Sequence, residues 1–162
     1  MNVRNKILRK VLPSFIAIAV FGCQNASSPA FSVDDDTKKV KAILKTIDDT
    51  TLNMDAKMSI YSDDVVHMAQ GSRAITNKAD LRKVLESEAS GGKTLMTHEL
   101  VTLHSYPDMV LTRGGVKGNY HPNGGGKAIP FETNNILTFK RNSDGTLKVW
   151  QVIFNRVNLE NY

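Results

Sequence analysis

The spacing of apolar positions changes character twice along this chain. First comes an unbroken apolar run, VLPSFIAIAVFG over 11–22, which contains no charge. After a polar stretch, Val40, Ile43, Leu44, Ile47 and Thr51 recur at i, i+3, i+4 spacing. That spacing predicts an amphipathic helix, opened by Asp34, Asp35, Asp36 and Thr37. A short second helix is expected over 55–61, with Met58 and Tyr61 on its buried side and Asp63-Asp64 closing it. VVHMAQ (65–70) reads as a strand, Gly71-Ser72 as a turn and RAIT (73–76) as a short return strand. Asn77 with Asp80 is a capping pair for a third helix carrying Leu81, Val84 and Leu85, which Gly91-Gly92 stops.

From there the period falls to two. Strands are predicted over 95–105, 109–121, 128–141 and 146–157. Pro107-Asp108, the glycine-rich 121–127 and Asn142-Ser143-Asp144-Gly145 separate them. Gly114, Gly115 and Gly118 fall inside a strand and mark a bulge or sharp bend. Helices first and long antiparallel strands afterwards give an α+β fold. The bends let the sheet curl around the helices into a cone whose mouth is a natural pocket.

Charge changes the picture by where it sits. The formal net charge is +5, from 21 basic and 16 acidic residues. Arg4, Lys6, Arg9 and Lys10 precede Cys23 and no acid does, which leaves 17 basic residues against 16 beyond it. The body is nearly neutral and lacks the electrostatic footprint of a nucleic-acid binder. A basic start, a short apolar middle and a small residue before the only cysteine have the layout of a secretory signal. The apolar run is too short to span a bilayer, which takes about 20 residues.

Val20-Phe21-Gly22-Cys23 resembles a bacterial lipobox, although Phe21 is bulkier than the usual occupant. The resemblance implies cleavage before Cys23 and lipid attachment at its thiol. Residues 1–22 are then a lipoprotein signal peptide, 23–33 a flexible tether and 34–162 the folded domain. The expected address is the bacterial cell envelope, lipid-anchored and facing the periplasm or the exterior. A plain secretory signal with an incidental cysteine is the alternative.

The body resembles the nuclear transport factor 2-like (NTF2-like) superfamily, and within it the SnoaL-like and ketosteroid isomerase-like domains. Three stretches carry the likeness: Tyr61-Ser62-Asp63-Asp64-Val65-Val66, the segment before the third helix with Asn77 where glycine is usual, and Phe139 through Asp144-Gly145 to Val152-Ile153-Phe154. The resemblance implies a cone-shaped NTF2-like fold. It does not settle function, because such folds host many activities.

The isomerase-type chemistry of the family needs a carboxylate base on the first strand, a helix-one tyrosine and a protonated aspartate on a later strand. Those positions fall here at Ala69, near 45–47 and at Asn135, so the set is not retained. His67 lies two residues before Ala69 and shares its face. The candidate acid/base pair is therefore His67 with Asn135. The candidate ligand pocket is lined by Tyr61, Phe131, Trp150, Val152 and Phe154. His98 and His104 stand six residues apart, roughly 20 Å along a strand, too far to share a metal. No metal or cofactor is expected.

Two readings remain open. In one, the cone binds a small hydrophobic molecule, or its outer sheet face binds a partner. Ile136 and Ile153 make that face apolar and suit a homodimer. In the other, a SnoaL-like enzyme acts on a small hydrophobic substrate through His67 and Asn135.

Overall fold

The computed structural model describes residues 31–157. The lipobox-like stretch with Cys23, most of the segment expected to be a tether, and the last five residues lie outside the described residues. Three helices precede and interrupt a five-stranded sheet: α1 (Val33–Asp48), α2 (Met54–Met58), β1 (Tyr61–Ala69), α3 (Lys78–Gly91), β2 (Gly92–Ser105), β3 (Met109–Pro122), β4 (Ile129–Arg141) and β5 (Leu147–Arg156). The sheet order is β1-β5-β4-β3-β2. β2 through β5 form an antiparallel meander, while β1 runs parallel to β5. The result is an open, mostly antiparallel α+β sheet curved around its helices, which is the cone expected.

Local chemistry explains most element boundaries. α1 carries three acids in its first turn, where they favour the helix dipole. It ends at Asp48, so Thr51 falls beyond it and instead closes an Asx turn onto the Asp49 carboxylate. The Asn77 side chain accepts from the Asp80 amide and opens α3. The β4–β5 hairpin turns at Gly145, whose φ of 79° an L side chain rarely adopts. The Asp144 carboxylate secures that turn by accepting from the Thr146 amide and hydroxyl.

Three expectations need correction. The second helix stops at Met58, and Tyr61 begins β1 instead of facing inward from a helix. Asp63 and Asp64 therefore lie inside a strand. The cause is β5: Tyr61 pairs with Val149 and Val66 with Gln151, so β1 carries extra residues between these pairings without leaving the strand. The return strand at 73–76 is reduced to one bridge, between His67 and Ile75.

One core joins the layers. Val40, Ile43 and Leu44 of α1 and Leu81 of α3 pack on Val65, Val110, Leu137, Phe139 and Val149 of the sheet. Burying each large side chain contributes roughly 1.5–3 kcal/mol. Two bulges tighten the curl of the sheet. Val101 is an extra residue in β2 opposite Arg113–Gly114, and Trp150 is an extra residue in β5. Gly114 permits the first bulge: a Cβ there would lie 1.9 Å from the Glu99 carbonyl oxygen.

Candidate functional site

Strand alternation assigns the inner face. In β4, Phe131, Thr133, Asn135, Leu137 and Phe139 turn toward the helices, and Asn134, Ile136 and Lys140 turn away. Register carries that face across the sheet: Asn135 pairs with Phe154 and Phe154 with Ala69, while Leu137 pairs with Val152 and Val152 with His67. His67 and Asn135 therefore share the inner face, with β5 between them. Two strand spacings and a two-residue offset separate their backbones by about 12 Å.

Each of the two has its own setting. The Asn135 side-chain oxygen accepts from the buried Thr133 hydroxyl at 2.6 Å. The His67 ring meets the Phe154 ring edge-on, with centroids 5.4 Å apart. Burial against this apolar surface lowers the His67 pKa and favours the neutral imidazole. The backbone of His67 exchanges two hydrogen bonds with Ile75.

The lining residues divide in the same way. Phe131, Val152 and Phe154 stand on the inner face, and the Phe131 ring fills the space that a side chain at Gly118 would need. Tyr61 is a member of the closed core, and burial pushes its phenol up to about 12. Trp150 does not face inward. The β5 bulge shifts the alternation at this residue, and its ring sits with the outward-pointing Lys140, 5.7 Å from Nζ. Sequence period alone assumes an unbroken strand, so a one-residue bulge reverses the predicted side.

A second pair on the inner face went unrecognised in the sequence. Asp48 ends α1 and faces His98 of β2, 50 residues away. One carboxylate oxygen bonds His98 Nδ1 at 2.6 Å, and the other accepts from the His98 amide at 3.0 Å. β2 is an edge strand, so that amide needs a partner outside the sheet. An acid in the last turn of a helix runs against the macrodipole, and these two bonds offset that cost. A carboxylate at Nδ1 holds the proton there, which leaves the lone pair of a neutral His98 on Nε2.

The pair lines a groove of about 430 Å³ between α1 and β2, with Lys41, Leu44, Lys45, Glu99 and Leu100. A second concavity, about 320 Å³, lies around Thr102, Leu111, Arg113 and Ile136. Neither is lined by His67 or Asn135. The sequence held half of the signal: Thr94, Met96, His98 and Leu100 alternate onto one face, and Lys41, Leu44 and Asp48 share one face of α1. Only the docking of α1 on β2 joins the two halves. Among the described residues, no group of three or more His, Cys, Asp or Glu is placed to hold a metal ion.

The fold has many solved relatives in shape. A ketosteroid isomerase-like protein from Erwinia carotovora atroseptica superposes with a TM-score of 0.64 at 18% identity, over 75% of this chain and 93% of that one. A conserved protein from Planctomyces limnophilus gives 0.69 at 15% identity, over 76% and 98%. An NTF2 design carrying five substitutions gives 0.56 at 16% identity, over 74% and 99%. No family model matches the sequence, and no curated protein does. At these identities the likeness is one of fold.

Proposed function

Starting from a chain with the NTF2-like fold, we propose that it binds a small hydrophobic molecule in the groove between α1 and β2, against the Asp48–His98 pair. The observation that carries this reading is the 2.6 Å bond between Asp48 and His98 Nδ1 in the wall of an open, largely apolar groove. Leu44 and Leu100 supply its apolar surface, and His98 supplies a polar contact of defined tautomer. The test is extraction of the full chain, purified from native expression, followed by mass spectrometry of what it carries. Wild-type protein is expected to yield an apolar small molecule, and Leu100→Trp, which fills the groove, to yield none. Equal recovery from both proteins rejects this location for the site.

A second reading is catalytic and has its own observation. A carboxylate-held imidazole with its lone pair on Nε2 is the arrangement of a general acid/base. If the chain is a SnoaL-like enzyme, His98 is a better acid/base than His67 with Asn135, whose backbones stand two strand spacings apart.

The proposal includes an address. The lipobox-like Val20–Cys23 supports export and lipid anchoring at Cys23 in the bacterial envelope. Two acyl chains or more anchor stably where one does not. Among the described residues, no helix is long and apolar enough to cross a membrane. Cys23→Ala is expected to move the protein from the membrane fraction to the soluble fraction, and full retention in membranes rejects the anchor. A homodimer through the outer sheet face, around Ile136 and Ile153, completes the proposal.

A further inference from the structure

Two cations flank the groove without an assigned role. Lys41 and Lys45 are exposed, line it, and stand one helical turn apart on α1. At that spacing two ammonium groups can reach one anion. Several other lysines among the described residues are engaged, while Lys38, Lys93 and Lys127 make no such contact but do not line the groove. Lys39, Lys78, Lys83 and Lys140 pair with aspartates, Lys117 pairs with Glu132, and Lys57 caps the Ile47 carbonyl. Lys41 and Lys45 make no ion pair among those residues. The nearby Asp48 carboxylate is already engaged at both oxygens by His98. Glu99 also borders the groove, but alternation with His98 and Leu100 turns its exposed side chain to the other side of β2. Between the lysines and His98 the surface is apolar, supplied by Leu44 and Leu100.

We propose that this groove selects a small anionic amphiphile, a carboxylate or sulfonate on an apolar body, with Lys41 and Lys45 holding the charged group. The apolar body lies on Leu44 and Leu100, and its far end reaches His98. The Asp48 carboxylate repels an anion placed against it, so the charged group lies toward Lys41 and the apolar body toward His98. The inference rests on the groove being the ligand site.

The test uses the full chain and two probes that differ in charge. 8-Anilino-1-naphthalenesulfonate is anionic, and N-phenyl-1-naphthylamine has nearly the same aromatic body without the charge. Binding is followed by fluorescence titration and by the His98 imidazole signals in NMR. Both probes are expected to perturb His98. Lys41→Gln with Lys45→Gln is expected to weaken the sulfonate about fivefold to tenfold and the neutral probe less than about twofold, with Lys38→Gln as the control on the same helix. Added salt weakens only the sulfonate. If both probes perturb His98 but the lysine changes leave sulfonate affinity unaltered, the anion preference is overturned and the groove stands as the site. If neither probe perturbs His98, the groove is not the site and the anion preference falls with it. Unchanged melting of the lysine variants keeps the comparison free of folding defects.

Discussion

Asp36, in the first turn of α1, and Arg141, the last residue of β4, meet as a two-point ion pair. Nη1 donates to Oδ1 at 2.8 Å and Nη2 to Oδ2 at 2.7 Å. Asp36 is completely buried, and the Phe31 ring covers the guanidinium with its centroid 5.5 Å away. Arg141 also donates to the Tyr106 carbonyl, so one side chain ties the start of α1 to the β2–β3 turn.

Removing one partner leaves the other charged and buried, which costs about 3–5 kcal/mol. Asp36→Ala should therefore lower the urea midpoint severely. Asp36→Leu combined with Arg141→Met should recover most of the loss, because the pair is replaced by packing. Equal midpoints for Asp36→Ala and wild type would show that the pair contributes nothing.

Acid should act on the same contact. The hydrogen bonds from Arg141 hold the Asp36 carboxyl below its ordinary 3.8. A depressed carboxyl contributes stability that is present above about 3.9 and lost as pH falls through the folded value. The Asp36-dependent part of the stability is thus expected to persist at pH 5 and to vanish in strong acid. Melting curves of wild type and of the Asp36→Leu, Arg141→Met double variant across that range read this out.

His67 works in a milder window. Its burial favours the neutral ring, so the folded pKa lies below the unfolded 6.5. Stability is full above about 6.5 and falls as pH drops below it, because only the unfolded chain takes up the proton easily. His67→Phe should remove that slope between neutral and mildly acidic pH. A slope retained in full by the variant assigns it to another group.

Glycine positions separate a steric need from a loop preference. At Gly114 an added Cβ would meet the Glu99 carbonyl oxygen at 1.9 Å, whereas at Gly124 nothing lies within 4 Å. Gly114→Ala should disrupt the β2–β3 bulge and lower the melting temperature by many degrees, and Gly124→Ala should leave it within a degree or two. Circular dichroism melts of the two variants decide this.

The outer sheet face carries the proposed dimer. Ile136 and Ile153 pair across β4 and β5 and are 44% and 41% exposed. Ile136→Glu should convert a dimer to a monomer in analytical ultracentrifugation without lowering the melting temperature of the monomer. A wild-type monomer at all accessible concentrations rejects the dimer.

Much of this protein is legible in its amino-acid order. Helix periods, the Asn77 cap, the Asn142–Gly145 turn and the alternation of β4 depend on neighbours within a few residues, and local physics settles them. The inner-face placement of His67, Asn135 and Phe154 follows from the same alternation. Tertiary structure decided the rest. β1 starts at Tyr61 because β5, nearly ninety residues later, supplies its hydrogen-bond partners. Trp150 turns outward because a one-residue bulge, set by how β4 and β5 register, inverts the face. Asp48 meets His98, and Asp36 meets Arg141, because α1 docks along the sheet. Such pairings join residues 50 and 105 positions apart, and no local pattern encodes which buried acid meets which base.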